Sequence, residues 1–293
     1  MIDTQLSTQP RVFKPPSKGQ SIHVAGKYYF IGDFIGSGYF GDVYACTDEW
    51  ENQLVAKVLV PRNQTYDEVR QSWLEELRKL EALRHPNITY VHAAFECEDT
   101  FYLIIERCSM TLDLVINLQG LIADNWIPYV ARDVLQGLEY IHSAGYVHKD
   151  IHPGNVFVSQ SQDRMVPTKD AVWSFKIGDL GISRLETEVS AFNTILAQWM
   201  LPPEAIDPSQ FGQVGRTLDV YHVALMLLAL TLNRVPTFTR DDVLEGVPRQ
   251  LAESSESRYG PAIARALRRH TTARTPTAMH FWRDIFAASQ NAN

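Results

Sequence analysis

The stretch from His148 to Asn155 reads His-Lys-Asp-Ile-His-Pro-Gly-Asn and follows a predicted helix that is closed by Gly145. It puts the Asp150 carboxylate and the Asn155 carboxamide on one short loop. Those two groups can supply a base and a metal ligand close together. Asp, Asn, Pro and Gly are also common in ordinary turns, so the stretch alone does not decide between a catalytic loop and a turn.

A second acidic motif, Asp179-Leu180-Gly181, comes at the end of a predicted strand over residues 173–177. A carboxylate at a strand end can hold Mg²⁺, which prefers carboxylate and phosphate oxygens. We therefore interpret Asn155 and Asp179 as candidate metal ligands. This motif by itself is also a common turn sequence.

A glycine-rich segment lies near the start of the chain, where Gly36, Gly38 and Gly41 are followed by Val43. Glycines at this spacing let a turn approach phosphates closely and present backbone N–H groups. Strands are predicted on both sides, which indicates a β-hairpin rather than the strand-to-helix turn of dinucleotide-binding proteins. A glycine-rich hairpin without a ligand is the alternative interpretation.

Lys57 lies between apolar residues in a predicted strand over residues 53–60. An ammonium group in a half-buried place needs an anionic partner. The next predicted helix begins with a capping box at Thr65, and its apolar face carries Glu76 together with Trp73. We expect Glu76 to point inward and to pair with Lys57. The alternative is an edge-strand lysine that faces solvent.

Taken together, the order and spacing of these motifs resemble the eukaryotic-type protein kinase family over about residues 27–286. Later features add to the resemblance. Glu204 follows a proline as in the family's Ala-Pro-Glu motif, Asp219 opens an apolar helix, and Arg274 stands where the family has the arginine that pairs with that glutamate.

The resemblance implies an α+β fold of the bilobal protein-kinase-like type. A small N-lobe would contain an antiparallel sheet and one long helix, and a larger C-lobe would be mainly helical. We expect a flexible N-terminal extension over residues 1–25, for which a partly docked arm stays open as the alternative, the N-lobe over residues 26–107 and the C-lobe over residues 108–293.

The resemblance also implies ATP and Mg²⁺ as cofactors and gives roles to individual residues. Asp150 would accept the proton of the substrate hydroxyl. Lys57, paired with Glu76, would hold the α- and β-phosphates, and Asn155 and Asp179 would bind Mg²⁺. The other nucleotide contacts would be Gly36, Gly38 and Gly41 over the phosphates, Val43, Ala56 and Phe157 around adenine, Ile105 as gatekeeper, and Glu106 and Cys108 in the hinge.

Two residues of the catalytic loop depart from the family pattern. His152 stands where Ser/Thr kinases have a lysine that contacts the transferred phosphate, and we count it among the catalytic residues. Lys149 replaces an arginine that contacts a phosphorylated activation loop. It is cationic but lacks the guanidinium fork, so we predict weak dependence on phosphorylation at Thr187, Ser190 and Thr194.

The predicted function is transfer of the γ-phosphate of ATP to protein hydroxyls, with Ser/Thr favoured over Tyr. The Gly-Thr-x-x-Tyr signature of Ser/Thr kinases is missing before Pro203, and Ala197 takes the place of its Thr. Two alternatives stay open. The catalytic loop also resembles the small-molecule kinases of the aminoglycoside and choline kinase type, and a pseudokinase scaffold would bind nucleotide without transferring phosphate.

Composition and charge exclude several classes of partner and location for this protein. The 293 residues carry a net charge of −7, which disfavours a general nucleic-acid binder. The N-terminus lacks a secretory signal, no apolar run is long enough to span a bilayer, and the three cysteines suggest neither disulfides nor zinc. We expect a cytoplasmic enzyme that acts on protein substrates. The sequence does not indicate the oligomeric state. We interpret the basic run from Arg265 to His270 as the solvated face of a helix.

Overall fold

The computed structural model describes residues 11–38, 41–117, 123–162, 171–180, 183–186 and 201–290. The chain divides into two compact units. The first comprises Met1–Ala82 and Tyr90–Arg107, and the second comprises Leu83–Thr89 and Cys108–Asn293.

The first unit is an antiparallel sheet with one long helix. The sheet has the strand order β1-β2-β3-β4-β6-β5, and every neighbouring pair in it is antiparallel. Its elements are β1 (Ser21–Val24), β2 (Lys27–Ser37), β3 (Gly41–Asp48), β4 (Gln53–Leu59), helix α1 (Tyr66–Ala82), β5 (Val91–Cys97) and β6 (Thr100–Glu106).

The core of this unit forms because apolar side chains of several strands meet on one face of the sheet. Ala56 and Val58 of β4 are fully buried there, with Ile104 of β6 beside them. Helix α1 begins at the predicted capping box, in which the Thr65 backbone N–H donates to the Glu68 carboxylate at 2.7 Å and the Glu68 N–H donates back to the Thr65 hydroxyl.

Residues 11–25 are docked on the first unit, which is one of the two alternatives that the sequence left open. Residues 21–24 form strand β1, and the segment before it, which we call the N-terminal arm (residues 11–20), lies against β6. The Lys14 N–H donates to the Thr100 hydroxyl, which donates to the Lys14 carbonyl, both at 3.1 Å. Phe13 packs against the core cluster. The polar composition did not decide between the two alternatives, because these contacts are made through the backbone and one aromatic ring.

The second unit is mainly helical, with two small antiparallel sheets of order β10-β9-β7 and β11-β8. Its strands are β7 (Met110–Thr111), β8 (Tyr146–Val147), β9 (Val156–Gln162), β10 (Ala171–Ile177) and β11 (Arg184–Leu185). Its helices are α2 (Leu112–Ile116), α3 (Ala123–Ser143), α4 (Pro203–Ile206), α5 (Pro208–Phe211), α6 (Arg216–Thr231), α7 (Arg240–Glu245), α8 (Val247–Glu253), α9 (Gly260–Ala266) and α10 (Ala278–Gln290).

Helix α6 is the centre of the second unit, because every residue from Leu218 to Leu230 is buried. A helix that is apolar all round belongs in the middle of a core. Helices α3 and α9 pack against it. Among the described residues, no helix has both the length and the apolar character needed to cross a membrane.

The predicted architecture of antiparallel sheet plus long helix followed by a mainly helical part is confirmed. The polar segment 159–172 is partly regular. Strands β9 and β10 continue into it from both sides, with Gln162 opposite Ala171. Its central residues lie outside the described ranges.

Candidate active site

The glycine-rich segment is the turn between β2 and β3. Gly36 pairs with Val43 across the two strands, and the Gly38 N–H donates to the Gly41 carbonyl at 2.8 Å. A Cβ atom at Gly41 would collide with the Val58 carbonyl oxygen of β4, so glycine is required there. Gly36 has open space where a Cβ would be.

Arg62 fixes the β2 side of this turn, a contact that the sequence analysis missed. Its Nη2 donates to the Gly38 carbonyl at 2.7 Å and to the Ser37 hydroxyl at 3.1 Å. Pro61 ends β4 just before it, and the Arg62 N–H donates to the Val60 carbonyl, which folds the chain back. Nothing in the sequence around Arg62 signals this contact.

Lys57 and Glu76 form the predicted ion pair. The Lys57 Nζ lies 2.8 Å from Glu76 Oε1, and the two residues are only 8% and 3% exposed. Two features of the sequence produce the pair. Lys57 points off β4 toward α1, and Glu76 lies on the buried face of α1 with Trp73, whose indole N–H donates to the Tyr102 carbonyl. A positive charge is therefore held by a buried carboxylate in the first unit.

The predicted adenine and hinge residues of this unit lie on its central strands. Ala56 of β4 is fully buried and pairs with Tyr44 of β3, next to the half-buried Val43. Ile105 and Glu106 end β6, and the Glu106 N–H donates to the Tyr90 carbonyl. The register places Val43 opposite Lys57, Ala56 opposite Ile104, and Ile105 and Glu106 opposite Val55 and Leu54, so these residues follow one another along the three central strands.

In the second unit, Asp219 holds the start of the loop that runs from His148 to Asn155. Its carboxylate accepts hydrogen bonds of 2.8 Å from the backbone N–H groups of His148 and Lys149, and His142 Nε2 lies at 2.8 Å. Burial opposes ionisation of Asp219, but the hydrogen bond and charge of His142 outweigh it and lower its pKa. Sequence analysis gave no role to His142, which is the second-to-last residue of helix α3.

Three other residues of this loop, His148, His152 and Asn155, lie close to Asp150. The Asn155 Nδ2 donates to the Asp150 backbone carbonyl at 3.0 Å and to its Oδ2 at 3.2 Å. His152 Nε2 lies 3.8 Å from Asp150 Oδ1. The His148 Nδ1 accepts from the Asp150 N–H, while its Nε2 lies 3.1 Å from the Gly178 carbonyl. The predicted base, amide and histidine are therefore brought together.

His152 has a defined tautomer when it is neutral. Its Nδ1 accepts a hydrogen bond from the Gly154 N–H at 3.1 Å, so the proton of the neutral ring lies on Nε2. Burial lowers the pKa of His152 below the usual 6.5, although the nearby Asp150 carboxylate acts in the opposite direction. His152 is therefore a neutral N–H donor near Asp150 at neutral pH.

Asp179 follows β10 and lies in the left-handed region with φ of 55°, and Lys149 has φ of 73°. Non-glycine residues in this region are uncommon and cluster at functional sites. Phe157 of β9 packs so tightly on Gly178 that a Cβ there would collide with its ring. The Gly178 N–H donates to the Asn155 carbonyl at 3.0 Å, which ties the predicted metal ligands to one scaffold.

The late motifs form a buried ion pair. Arg274 donates to both Glu204 oxygens at 2.6 and 2.7 Å, and the two side chains are fully buried. This is the pairing that the sequence predicts. The predicted phosphorylation positions Thr187, Ser190 and Thr194 lie outside the described residues. Cys108 begins the longer of the two segments that form the second unit. The N–H of the next residue, Ser109, donates to the Val158 carbonyl.

Comparison with known proteins agrees with these motifs. The family described as protein kinase domain matches residues 29–288. "Serine/threonine-protein kinase 1" of Arabidopsis thaliana is 29% identical over 193 residues, and "Inactive serine/threonine-protein kinase PLK5" of Mus musculus is 30% identical over 161 residues. These alignments cover 63% and 54% of this chain but only 21% and 25% of the two relatives.

A solved kinase-domain structure has the same fold as this chain. The Mycobacterium tuberculosis PknI kinase domain superposes with a TM-score of 0.66 at 20% identity, covering 94% of this chain and 100% of that chain. The match to the family spans most of the chain. The chain therefore belongs to the protein kinase domain family.

Proposed function

We propose that this protein is an ATP- and Mg²⁺-dependent protein kinase that transfers the γ-phosphate to Ser or Thr hydroxyls of protein substrates. The observation that carries the proposal is the presence of every charged and amide side chain that this chemistry needs. A buried Lys57–Glu76 pair is present, together with the cluster of Asp150, Asn155 and the nearby Asp179.

In the first unit, the proposed nucleotide contacts neutralise and position phosphates. Glu76 holds the Lys57 ammonium in one orientation, and we propose that this ammonium contacts the α- and β-phosphates. Gly36, Gly38 and Gly41 are proposed to lie over the phosphates, because glycines let the backbone approach a phosphate closely. Val43, Ala56, Ile105 and Glu106, with Cys108 and Phe157 of the second unit, are proposed to bind adenine.

In the second unit, Asp150 is proposed to accept the proton of the attacking hydroxyl. The Asn155 amide donates to both the side chain and the backbone of Asp150, which holds this carboxylate in place. Oriented groups of this kind lower the barrier because their reorganisation is complete before the reaction begins. The His152 Nε2–H is proposed to donate to the transferring phosphoryl group, where related kinases use lysine.

The residues proposed to hold Mg²⁺ fit that ion by their chemistry. Asn155 uses its amide nitrogen on Asp150, which leaves the carboxamide oxygen for a cation. Asp179 adds a carboxylate, and Mg²⁺ is typically bound through one or two such oxygens plus substrate phosphates. When bound, the ion would neutralise charge on the β- and γ-phosphate oxygens.

A small-molecule acceptor is the second candidate, because the Asp150–His152 loop resembles small-molecule kinases. The Glu204–Arg274 pair favours a protein acceptor, since the family uses this pair to organise its peptide-binding part. A pseudokinase scaffold is disfavoured by the intact charged set, although one relative carries the word inactive in its name. A cytoplasmic location is part of the same proposal.

A panel of acceptors separates these candidates. Purified protein is incubated with radiolabelled ATP and Mg²⁺ and with a pool of Ser-, Thr- and Tyr-centred peptides, aminoglycosides or choline. We expect label in the Ser and Thr peptides, and none with Asp179→Asn. Transfer only to a small molecule or only to Tyr would contradict the proposal, as would nucleotide binding without any transfer.

A further inference from the structure

The basic run from Arg265 to His270 has no role in the catalytic proposal. Helix α9 ends at Ala266, so Arg268, Arg269 and His270 lie beyond the helix and not on its face. This differs from the solvated helix face that the sequence indicated. Because the helix has ended, these three consecutive side chains are no longer spread around a helical axis.

A buried guanidinium fixes the backbone of these three residues. The Arg274 Nε donates to the Arg268 carbonyl at 2.8 Å, and its Nη2 donates to the Arg269 carbonyl at 3.1 Å. The Arg274 backbone N–H donates to the His270 carbonyl at 3.1 Å. Arg274 is itself held by Glu204. The three carbonyls are therefore turned toward one buried ion pair, on a rigid scaffold.

The side chains of this segment line a cavity of about 240 Å³, completed by Arg249 of α8 and by Ala273. Among the residues that the structure describes, its lining contains three guanidinium groups and an imidazole, and no carboxylate. Two of the guanidinium groups are braced by backbone oxygens. Arg269 Nη1 donates to the Leu244 carbonyl at 2.6 Å, and Arg268 Nη1 donates to the Ala273 carbonyl at 3.1 Å.

Charge and donor counts define what this cavity can hold. Arg249 forms an ion pair with Glu253 outside the lining, which leaves a local charge of about +2 before any charge on His270. Each guanidinium has five N–H donors, and the bonds above use only one donor each in Arg268 and Arg269. A dianion with several acceptor oxygens matches both the charge and the unused donors.

We propose that this cavity binds a phosphoryl group carried on a phosphorylated Ser or Thr side chain of a protein. A phosphoryl ester carries about −1.5 to −2 charges and three strong acceptor oxygens, and guanidinium groups bind such oxygens in pairs. A carboxylate offers only one charge and two oxygens. The cavity is smaller than the roughly 300–1,000 Å³ of drug-sized ligand sites, which suits a single modified side chain.

A protein ligand is favoured over an anionic membrane surface by the distribution of charge. The whole chain carries −7, so a broad anionic surface would be repelled. A single phosphoryl group inserted into the cavity meets mainly local charges, since interactions beyond about 8–10 Å are screened at physiological salt. The site is separate from the catalytic residues and does not require that the protein transfer phosphate.

Fluorescence polarisation of the full chain, without nucleotide, tests the proposal. The probes are a fluorescent pool of short peptides with phosphoserine or phosphothreonine at the centre, and the same pool without phosphate. We expect binding of the phosphorylated pool only, and competition by inorganic phosphate at higher concentration. Arg268→Ala and Arg249→Ala should each weaken binding at least tenfold.

The matched control is Arg265→Ala, because Arg265 lies on α9 outside the cavity and pairs with Asp284 at 3.3 Å. It should leave affinity within about twofold, with thermal melting showing that all variants fold. Equal affinity for both peptide pools, an unchanged affinity in Arg268→Ala, or an equal loss in the control would overturn the proposal. The proposal would also be overturned if inorganic phosphate bound and neither peptide pool did, or if phosphoinositide vesicles bound more tightly than the phosphorylated peptides.

Discussion

The carboxylate of Asp219 on helix α6 accepts a hydrogen bond of 2.8 Å from the backbone N–H of Lys149, a residue held at a φ of 73°. A buried acidic side chain thus stabilises the strained backbone next to the proposed base. Because Asp219 is fully buried and its partners are N–H groups, replacing it affects the fold as well as the loop.

We expect Asp219→Asn to lower the free energy of unfolding by about 3 kcal/mol at pH 7, since it removes a buried charge from its donors. The pKa of Asp219 is lowered below its ordinary 3.8, so its ionisation stabilises the fold above about pH 4 and stops doing so as the pH falls through the lowered value. Urea denaturation should show the gap between wild type and variant narrowing below pH 4. A constant gap at all pH values would contradict this.

The Lys57–Glu76 pair yields a prediction about activity. Glu76→Gln removes the negative charge that lies 2.8 Å from the Lys57 ammonium, and we expect kcat/KM for ATP to fall at least a hundredfold, equivalent to about 2.7 kcal/mol. Glu81→Gln, at an exposed position of the same helix, is the control and should change kcat/KM less than twofold. Similar kinetics in both variants would show that the pair has no part in catalysis.

Arg62 is expected to hold the glycine turn through Gly38 and Ser37. Arg62→Ala should raise the KM for ATP about five- to twentyfold with kcat within about twofold, since two hydrogen bonds of about 1 kcal/mol each are lost. Arg62→Lys should recover part of the loss, because lysine can still reach one acceptor. Steady-state kinetics, with the exposed Arg70→Ala on α1 as control, will measure this. A fall in kcat at unchanged KM would refute it.

The N-terminal arm makes a prediction about stability. Thr100 is 1% exposed, and its hydroxyl bonds both the N–H and the carbonyl of Lys14. Thr100→Val should lower the free energy of unfolding by about 1–2 kcal/mol and speed amide exchange in residues 11–16. Thr47→Val in β3, which is only half-buried, is the matched control. Unchanged exchange in the arm would mean that other contacts hold it.

The parts that sequence predicted well are those with local or strongly constrained signals. The capping box at Thr65 and the apolar periodicity of α1 were sufficient to place Glu76 inward opposite Lys57. The order of family motifs predicted the Glu204–Arg274 pair across a long stretch of chain.

The parts that sequence missed depend on contacts between distant, chemically ordinary residues. Arg62 reaches Gly38 only because Pro61 ends a strand beside the turn. The arm binds Thr100 through backbone groups, which every residue has, so its composition could not decide between a flexible and a docked segment. The cavity of Arg249, Arg268 and Arg269 likewise needs α8 to come beside the segment after α9.

The most direct test of the central claim is phosphate transfer by wild type and Asp150→Asn, compared with radiolabelled ATP and Mg²⁺ in a single-turnover experiment. Nucleotide affinity is measured in parallel. The account predicts label on Ser or Thr in the wild type, and a loss of at least a thousandfold in the variant with ATP affinity retained. Equal transfer by both proteins, or ATP binding by the wild type with no transfer to any acceptor, would contradict it.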